Sequence, residues 1–485
     1  MLYKELILDH LDVAEPIMTN GKQEWTYRQL HHRAMTAAGV LRDIGVTAGD
    51  RILIRGGNTV DTVSVMLAAI ALNACFVLLP ESTSREQLEY IISDAAPRAQ
   101  IGTNDGLAFS QLADGTPLTT LPHEQGGEAL PTYILYTSGS TGKPKGVVAP
   151  EKQVRFCIER INARLNNSAE DRILCCLPLS FDYGLYQLFF ALRYCSCLVL
   201  PEHWVIQQIP ALLIRQRITA FPAMPAMLNM LLCTKLLERC KEQIHLRYIS
   251  STGDDLPVEL IQKLFDLFPQ TQIVPMYGLT ECKRVSVMPF GRMDKILAGS
   301  CGLPLDNTLV YLDTPDENGY GELIVSGSNV MAGYWNDQAI TAQYYFQHPQ
   351  YGWSLRTGDL FAIDDEGFLY FKGRLKRILK VNGYRIGSVE LEQKLRPFLM
   401  NDTKELRIIG VPDPICGERV ALCVSTDRPY EDLIRELPQI TASWPVWQRP
   451  AWLYQTDEPF PKSGNGKIDD KHLLGEVLRR GVLLI

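Results

Sequence analysis

The residues Tyr136-Thr137-Ser138-Gly139-Ser140-Thr141-Gly142-Lys143-Pro144-Lys145-Gly146 concentrate hydroxyls, glycines and two cations in one short stretch. The apolar run before it, Tyr133-Ile134-Leu135-Tyr136, reads as a buried strand that breaks off where the polar residues begin. Glycines let backbone approach a ligand closely, and Thr137, Ser138, Ser140 and Thr141 supply donors suited to phosphate oxygens. Lys143 and Lys145 add the positive charge that phosphates need. The loop is not a Walker loop, because Thr137 stands five positions before Gly142 and Pro144 follows the lysine. A flexible Gly/Ser/Thr linker is the competing explanation for such a composition.

Four further polar residues stand in settings that could support chemistry. Asp182 lies in Leu177-Pro178-Leu179-Ser180-Phe181-Asp182-Tyr183-Gly184, and Glu281 in Met276-Tyr277-Gly278-Leu279-Thr280-Glu281. Asp359 closes Arg356-Thr357-Gly358-Asp359, and Lys467 closes Pro461-Lys462-Ser463-Gly464-Asn465-Gly466-Lys467. Each also has a plain structural use. Asp182 or Ser180 could cap the helix that follows, Glu281 could sit at a helix start, and Asp359 could be a turn acid. Lys467, in a Gly/Asn loop, could simply be solvated.

The elements around these residues alternate between the two periodicities. Thr26 is placed to cap a helix over 27–44 that stops near Gly45. Arg51-Ile52-Leu53-Ile54 and Cys75-Phe76-Val77-Leu78-Leu79 read as strands flanking an apolar helix over about 61–71. This alternation predicts an α/β class, with covered sheets in a large layered N-terminal domain. Residues 106–128 are the most loop-like by composition. Past Tyr370 a basic strand end, Gly373-Arg374-Leu375-Lys376-Arg377, leads to a helix over 388–399. Strands over 406–411 and 419–426 and a helix from about Glu431 follow. That set predicts a small, mobile C-terminal α+β domain, with domains at 1–373 and 377–485 and a hinge at 374–376.

The chain of 485 residues is too long for one ordinary core. Its 46% hydrophobic and 21% charged content is that of a soluble globular protein. A net charge of −7 argues against an electrostatic nucleic-acid binder. The acids within the first ten residues exclude a signal peptide, and the apolar runs are too short to span a bilayer. The twelve cysteines, without CxxC spacing, predict reduced and mostly buried thiols, hence a cytoplasmic protein with no thiol-bound metal.

Together with Gly321-Glu322-Leu323 and Gly373-Arg374, these motifs make the chain resemble the adenylate-forming superfamily, in that family's order from Thr26 to Lys467. The superfamily includes acyl- and aryl-CoA ligases, luciferases and nonribosomal-peptide adenylation domains. The resemblance implies ATP and Mg²⁺ as cofactors, and formation of an acyl-adenylate with release of pyrophosphate. It assigns Thr137, Ser138, Gly139, Ser140, Thr141, Gly142, Lys143 and Lys145 to the β- and γ-phosphates, Thr280 to the α-phosphate and Glu281 to Mg²⁺. Tyr277 would stack on adenine beside Gly253 and Asp254, Asp359 would hold the ribose hydroxyls, and Arg374 would lie near the same ribose. Lys467 is the catalytic lysine that bridges carboxylate and α-phosphate. After rotation about the hinge at Lys376, the segment around Gly383 forms a pantetheine tunnel. Lys376 stands where peptide-synthetase domains usually carry aspartate and many acyl ligases carry lysine.

By the same resemblance the substrate pocket comprises Asp182, Tyr183, Tyr186, Pro222, Ser250, Thr252, Met276, Arg284 and Val285. An aspartate at position 182 pairs with the substrate α-ammonium in the amino-acid-activating branch, although the Ser-Phe-Asp-Tyr-Gly wording also resembles some acyl-CoA ligases. Two tyrosines favour a small substrate. Arg284 repels a cationic substrate unless it pairs with Asp182 or with a substrate acid. No carrier segment follows Lys467, which predicts an acceptor in trans. The expectation is a ligase of a small amino acid, similar to those that load proline, acting with a separate phosphopantetheinylated carrier protein in nonribosomal-peptide or other secondary-metabolite biosynthesis. The alternatives are a small acyl-CoA ligase and, more remotely, a non-catalytic nucleotide-binding relative.

Overall fold

In the computed structural model the run Cys75–Leu79 is buried at all five positions, as a strand covered on both faces requires. The structure describes residues 1–121, 129–138, 143–254, 256–381, 384–399, 403–462 and 468–484. It divides into two compact units. The first comprises Met1–Val310, Ile324–Arg356 and Asp364–Leu369, and the second Tyr311–Leu323, Thr357–Ile363 and Tyr370–Ile485.

Two sheets organise the first unit. One runs in the order Ala99–Ile101, Arg51–Arg55, Cys75–Leu79, Pro131–Ser138, Pro144–Pro150. It is parallel except for the last pair, where Tyr136 faces Gly146 and Thr137 faces Lys145 in an antiparallel hairpin. The other has a parallel centre of Arg172–Leu174, Ala220–Pro222, Tyr248–Ser251 and Gln272–Tyr277. Helix Tyr27–Asp43 begins at Thr26 with a complete capping box to Gln29, and helix Val60–Ala71 begins at a capping Thr59. Both predicted helices are therefore present. The 106–128 region holds one short helix, Phe109–Ala113, because Gln111 returns its side chain to the Ala108 amide; residues 122–128 lie outside the described part.

Helix Asp182–Tyr194 carries the site, and residues 182–192 are all buried. Its entry is a tight turn in which the Phe181 amide donates to the Pro178 carbonyl at 3.0 Å. Asn58 pins that turn by donating to the Leu177 carbonyl (2.9 Å) and accepting from the Leu179 amide (3.0 Å). Gly184 is required there, since a Cβ would stand 2.2 Å from the Pro178 carbonyl oxygen.

The second unit contains a sheet in the order Tyr384–Gly387, Ile378–Val381, Gly417–Thr426, Trp452–Thr456, Val482–Leu483, with Thr403–Asp413 also paired to Gly417–Thr426. Strand alternation divides its core. Val420, Leu422 and Val424 join one cluster with Leu391, Leu395 and Leu433, whereas Ala421 and Cys423 join another with Leu473 and Val477. Helices Ser388–Leu399 and Tyr430–Ile440 supply the first face and Asp470–Arg480 the second. The α/β class read from the sequence is the class observed.

Gly184→Ala should force the helix entry apart and cost about 1–3 kcal/mol, as overpacking of a filled core does. Urea unfolding measures it; an unchanged midpoint would mean that the turn yields freely.

Candidate functional site

Asp182 opens its helix without capping it: Phe181 is the N-cap residue, and no side-chain cap bond is made. The carboxylate, 8% exposed, instead meets the Lys283 ammonium, with Oδ2 3.1 Å from Nζ. Lys283 also donates to the Asp182 carbonyl and lies 4.0 Å from the centre of the Tyr186 ring. Its side chain is 1% exposed. Burial pushes the Lys283 pKa from 10.5 down to about 7, with Arg284 repelling the same proton, while Asp182 pulls in the opposite direction.

The loop that delivers Lys283 is folded tightly. The Val285 amide donates to the Tyr277 carbonyl (2.9 Å), and Lys283 itself has a left-handed φ of 57°. Gly278 is needed because a Cβ would approach the Lys283 carbonyl oxygen to 2.1 Å. Asn329 braces the far side by donating to the carbonyls of Cys282 (3.2 Å) and Arg284 (3.0 Å).

Arg284 turns the other way. One guanidinium nitrogen donates to Thr252 Oγ1 at 3.1 Å, and the group lies 5.3 Å from the centre of the Tyr183 ring. Tyr183 in turn shares a 2.8 Å hydrogen bond with Ser250, and the Tyr133 hydroxyl donates to that of Tyr186 at 3.4 Å. Asp182, Tyr183, Tyr186, Ser250, Thr252 and Arg284 thus form one linked set, with Lys283 as a member that the sequence reading did not select. Of the pairings left open for Arg284, the one with Asp182 is not made. Lys283 stands between Glu281 and Arg284 in a run that reads as polar, so no local signal marked it as buried.

A second cluster surrounds Glu281. The Tyr334 hydroxyl donates to Glu281 Oε1 at 2.7 Å, and Lys145 lies 5.5 Å from the Tyr334 ring centre and 5.6 Å from that of Tyr344. Tyr334 therefore connects the metal-ligand candidate to the phosphate-loop lysine, another residue missed from sequence. The Met331 amide and Tyr345 hydroxyl both donate to the Glu281 carbonyl, at 2.9 and 3.3 Å. Lys143 lies 5.9 Å from the Tyr90 ring centre. Met276 is buried, Thr280 and Tyr277 are half-buried, and Gly253, at φ 96°, leads to an exposed Asp254.

In the second unit Asp359 is almost fully buried and Arg374 Nε lies 3.2 Å from its Oδ1. The turn is held by Thr357 Oγ1, which accepts from the Asp359 amide at 3.1 Å, and by Glu322, which accepts from Gly358 at 3.0 Å. Gly139, Ser140, Thr141, Gly142, Gly383 and Lys467 lie outside the described residues, as do the side chains of Ser138 and Lys376.

The donor chemistry suits a magnesium nucleotide. Glu281 offers the hard oxygen that Mg²⁺ prefers, alongside Lys145 for phosphate charge. No group of three or more His, Cys, Asp or Glu suited to a metal occurs among the described residues. None of the twelve cysteines forms a disulfide, and no described helix is long and apolar enough to cross a membrane.

The depressed Lys283 pKa has a stability consequence. Between about pH 7 and 10.5 the unfolded chain binds this proton more tightly than the folded chain, so the group favours folding increasingly as pH rises through that window. Lys283→Met should therefore flatten the pH dependence of urea-unfolding stability over pH 7–10; an unaltered slope would show an ordinary lysine.

Comparison with known proteins bears on the family of the chain. The sequence model for the family "AMP-binding enzyme" matches residues 12–335. Bacitracin synthase 1 of Bacillus licheniformis is 26% identical over 457 residues, covering 92% of this chain but 8% of that protein. This chain thus spans only a small part of that relative's length. Among solved structures, VinN is 30% identical with a TM-score of 0.68, covering 77% of this chain and 98% of its own. The o-succinylbenzoate CoA synthetase of Bacillus subtilis, in complex with the acyl-adenylate OSB-AMP, has a TM-score of 0.85 at 24% identity and 97% coverage of both chains, a likeness of fold. With that match over two-thirds of its length, the chain belongs to the AMP-binding enzyme family, within the adenylate-forming superfamily of AMP-forming ligases.

Proposed function

We propose that the protein activates a small amino acid with ATP and transfers it to the phosphopantetheine thiol of a separate carrier protein. The observation that carries this reading is the buried Asp182 carboxylate, directed away from its helix cap and held by a lysine whose proton is weakly bound. A substrate ammonium offers Asp182 the same charge and donors, so it can replace a neutralised Lys283 as partner. The solved complex of the 30%-identical VinN with L-aspartate supports an amino-acid substrate, and peptide synthases such as bacitracin synthase 1 support a carrier-bound acceptor.

In the first step a substrate carboxylate oxygen attacks the α-phosphorus of ATP, and the bond to the bridging oxygen of pyrophosphate breaks. Lys143 and Lys145 would neutralise the leaving phosphates, Glu281, its carboxylate fixed by Tyr334, would hold Mg²⁺, and Asp359 would take the ribose hydroxyls. Lys467 sets its charge between carboxylate and α-phosphate, a task for a compact ammonium with three donors. Bound Mg²⁺ supplies charge neutralisation to the phosphates. In the second step the pantetheine thiolate attacks the acyl carbon and AMP leaves. Rotation at the 374–376 hinge withdraws Lys467 and brings Gly383 to the thiol path.

One observation favours the second reading, an AMP-forming ligase of a small carboxylic acid to CoA. Lys283 already occupies Asp182, which suits a substrate without an amine. Pyrophosphate exchange over amino acids and their deaminated analogues separates the two. Asp182→Asn should cost an amino-acid substrate about 3–5 kcal/mol, as loss of one partner of a buried charge pair does, and its deaminated analogue much less. Preference of the unmutated protein for plain acids, with ready use of free CoA, would overturn the amino-acid reading.

Lys467→Ala should lower adenylate formation about 10²–10³-fold while sparing thiolysis of a supplied adenylate, because its charge acts on phosphoryl transfer. Half-reactions measured separately check this. Equal loss in both would remove the assigned role.

A further inference from the structure

Arg284 is buried, 3% exposed, and makes one side-chain hydrogen bond, to the neutral Thr252 hydroxyl. Its Nε is buried without a partner. Among the described residues no carboxylate lies within ion-pair distance of it, since the acid of this pocket, Asp182, is taken by Lys283. A buried guanidinium is costly unless an anion meets it, and its planar fork is shaped to bind a carboxylate through two parallel hydrogen bonds. The ring of Tyr183 softens that cost on one face but supplies no counter-charge.

We propose that Arg284 is the receptor for a second carboxylate on the substrate, so that the acid activated here is a short acidic amino acid. The proposal rests on the amino-acid reading above and names its side chain. Counting charges leads to the same place. Asp182, Lys283 and Arg284 sum to one positive charge when all are ionised. Activation turns the reacting carboxylate into a carbonyl with no charge of its own, the negative charge of the anhydride staying on the AMP phosphate, so a neutral amino acid brings a second positive charge into this cluster through its ammonium. A substrate that carries a second carboxylate cancels its own ammonium. The substrate ammonium then joins Lys283 at Asp182, and the second carboxylate gives Arg284 the counter-charge it lacks among the described residues.

Tyr183 and Tyr186 are both fully buried beside these charges, and two such rings favour a short substrate. Aspartate and glutamate are the natural probes, with asparagine and glutamine as neutral isosteres. A site that hydrogen-bonds a charged group discriminates strongly against a substrate lacking it, because its own buried group is left unpaired.

The test is ATP–pyrophosphate exchange by the unmutated full chain with aspartate, glutamate, asparagine, glutamine, alanine, proline, succinate and propionate. The expected result is kcat/KM for aspartate or glutamate about 10²-fold or more above the matching amide. Arg284→Met should reduce that ratio to within a few-fold, chiefly through KM, and Arg284→Lys should restore part of it. Alanine or proline as the preferred substrate would overturn the proposal and leave the amino-acid reading standing. Succinate preferred over every amino acid would overturn the amino-acid reading, and with it this proposal as stated, while keeping Arg284 as an acid receptor. Propionate preferred would overturn both. The wild-type panel decides among these even if the variants fail to fold.

Discussion

Two cations and one carboxylate are enclosed together where the loop after Tyr277 meets the start of the helix Asp182–Tyr194, and the candidate pocket residues are arranged around that enclosure. Charges removed from water must be paired or surrender their protons. Here the two outcomes compete: Lys283 pairs with Asp182, yet its pKa falls to about 7 because burial and Arg284 oppose its charge. The neighbouring geometry follows from accommodating this. Gly278 lets the loop close on the Lys283 carbonyl, Asn329 holds the carbonyls on either side, and Arg284 is sent toward Thr252 and Tyr183 instead of toward the acid.

The surroundings of Glu281 in the first unit are organised by a neutral group. Tyr334 donates its hydroxyl to Glu281 and presents its ring to Lys145, so an anion and a cation share one support. Burial raises the Tyr334 pKa, as does the adjacent Glu281 charge, so the phenol keeps its proton and remains a donor to the carboxylate. The arrangement leaves the remaining Glu281 oxygen for a hard cation without requiring a dedicated cage of acids.

Elements whose formation rests on local rules were legible before the fold was known. The helix after Thr26 is fixed by a capping box four residues long, and the strands at Arg51 and Cys75 by runs of apolar residues. The alternation along Gly417–Thr426 likewise separates the two core faces of the second unit. Composition alone misjudged Phe109–Ala113 as loop, because its helix depends on a single side-chain return from Gln111 to a backbone amide.

Residue type and spacing by themselves determined which side chains are fit for nucleotide and acid chemistry: hydroxyls, glycines and lysines after a buried strand, and carboxylates in fixed motifs. Partnership among them was decided only by tertiary structure. Lys283 reaches Asp182 across 101 positions of sequence, and Tyr334 reaches Glu281 across 53. Such contacts depend on how the strand Gln272–Tyr277 and the helix Asp182–Tyr194 are brought together. No local pattern records that a lysine two positions past Glu281 turns inward to meet an acid, while the arginine beside it is buried with no acid partner among the described residues.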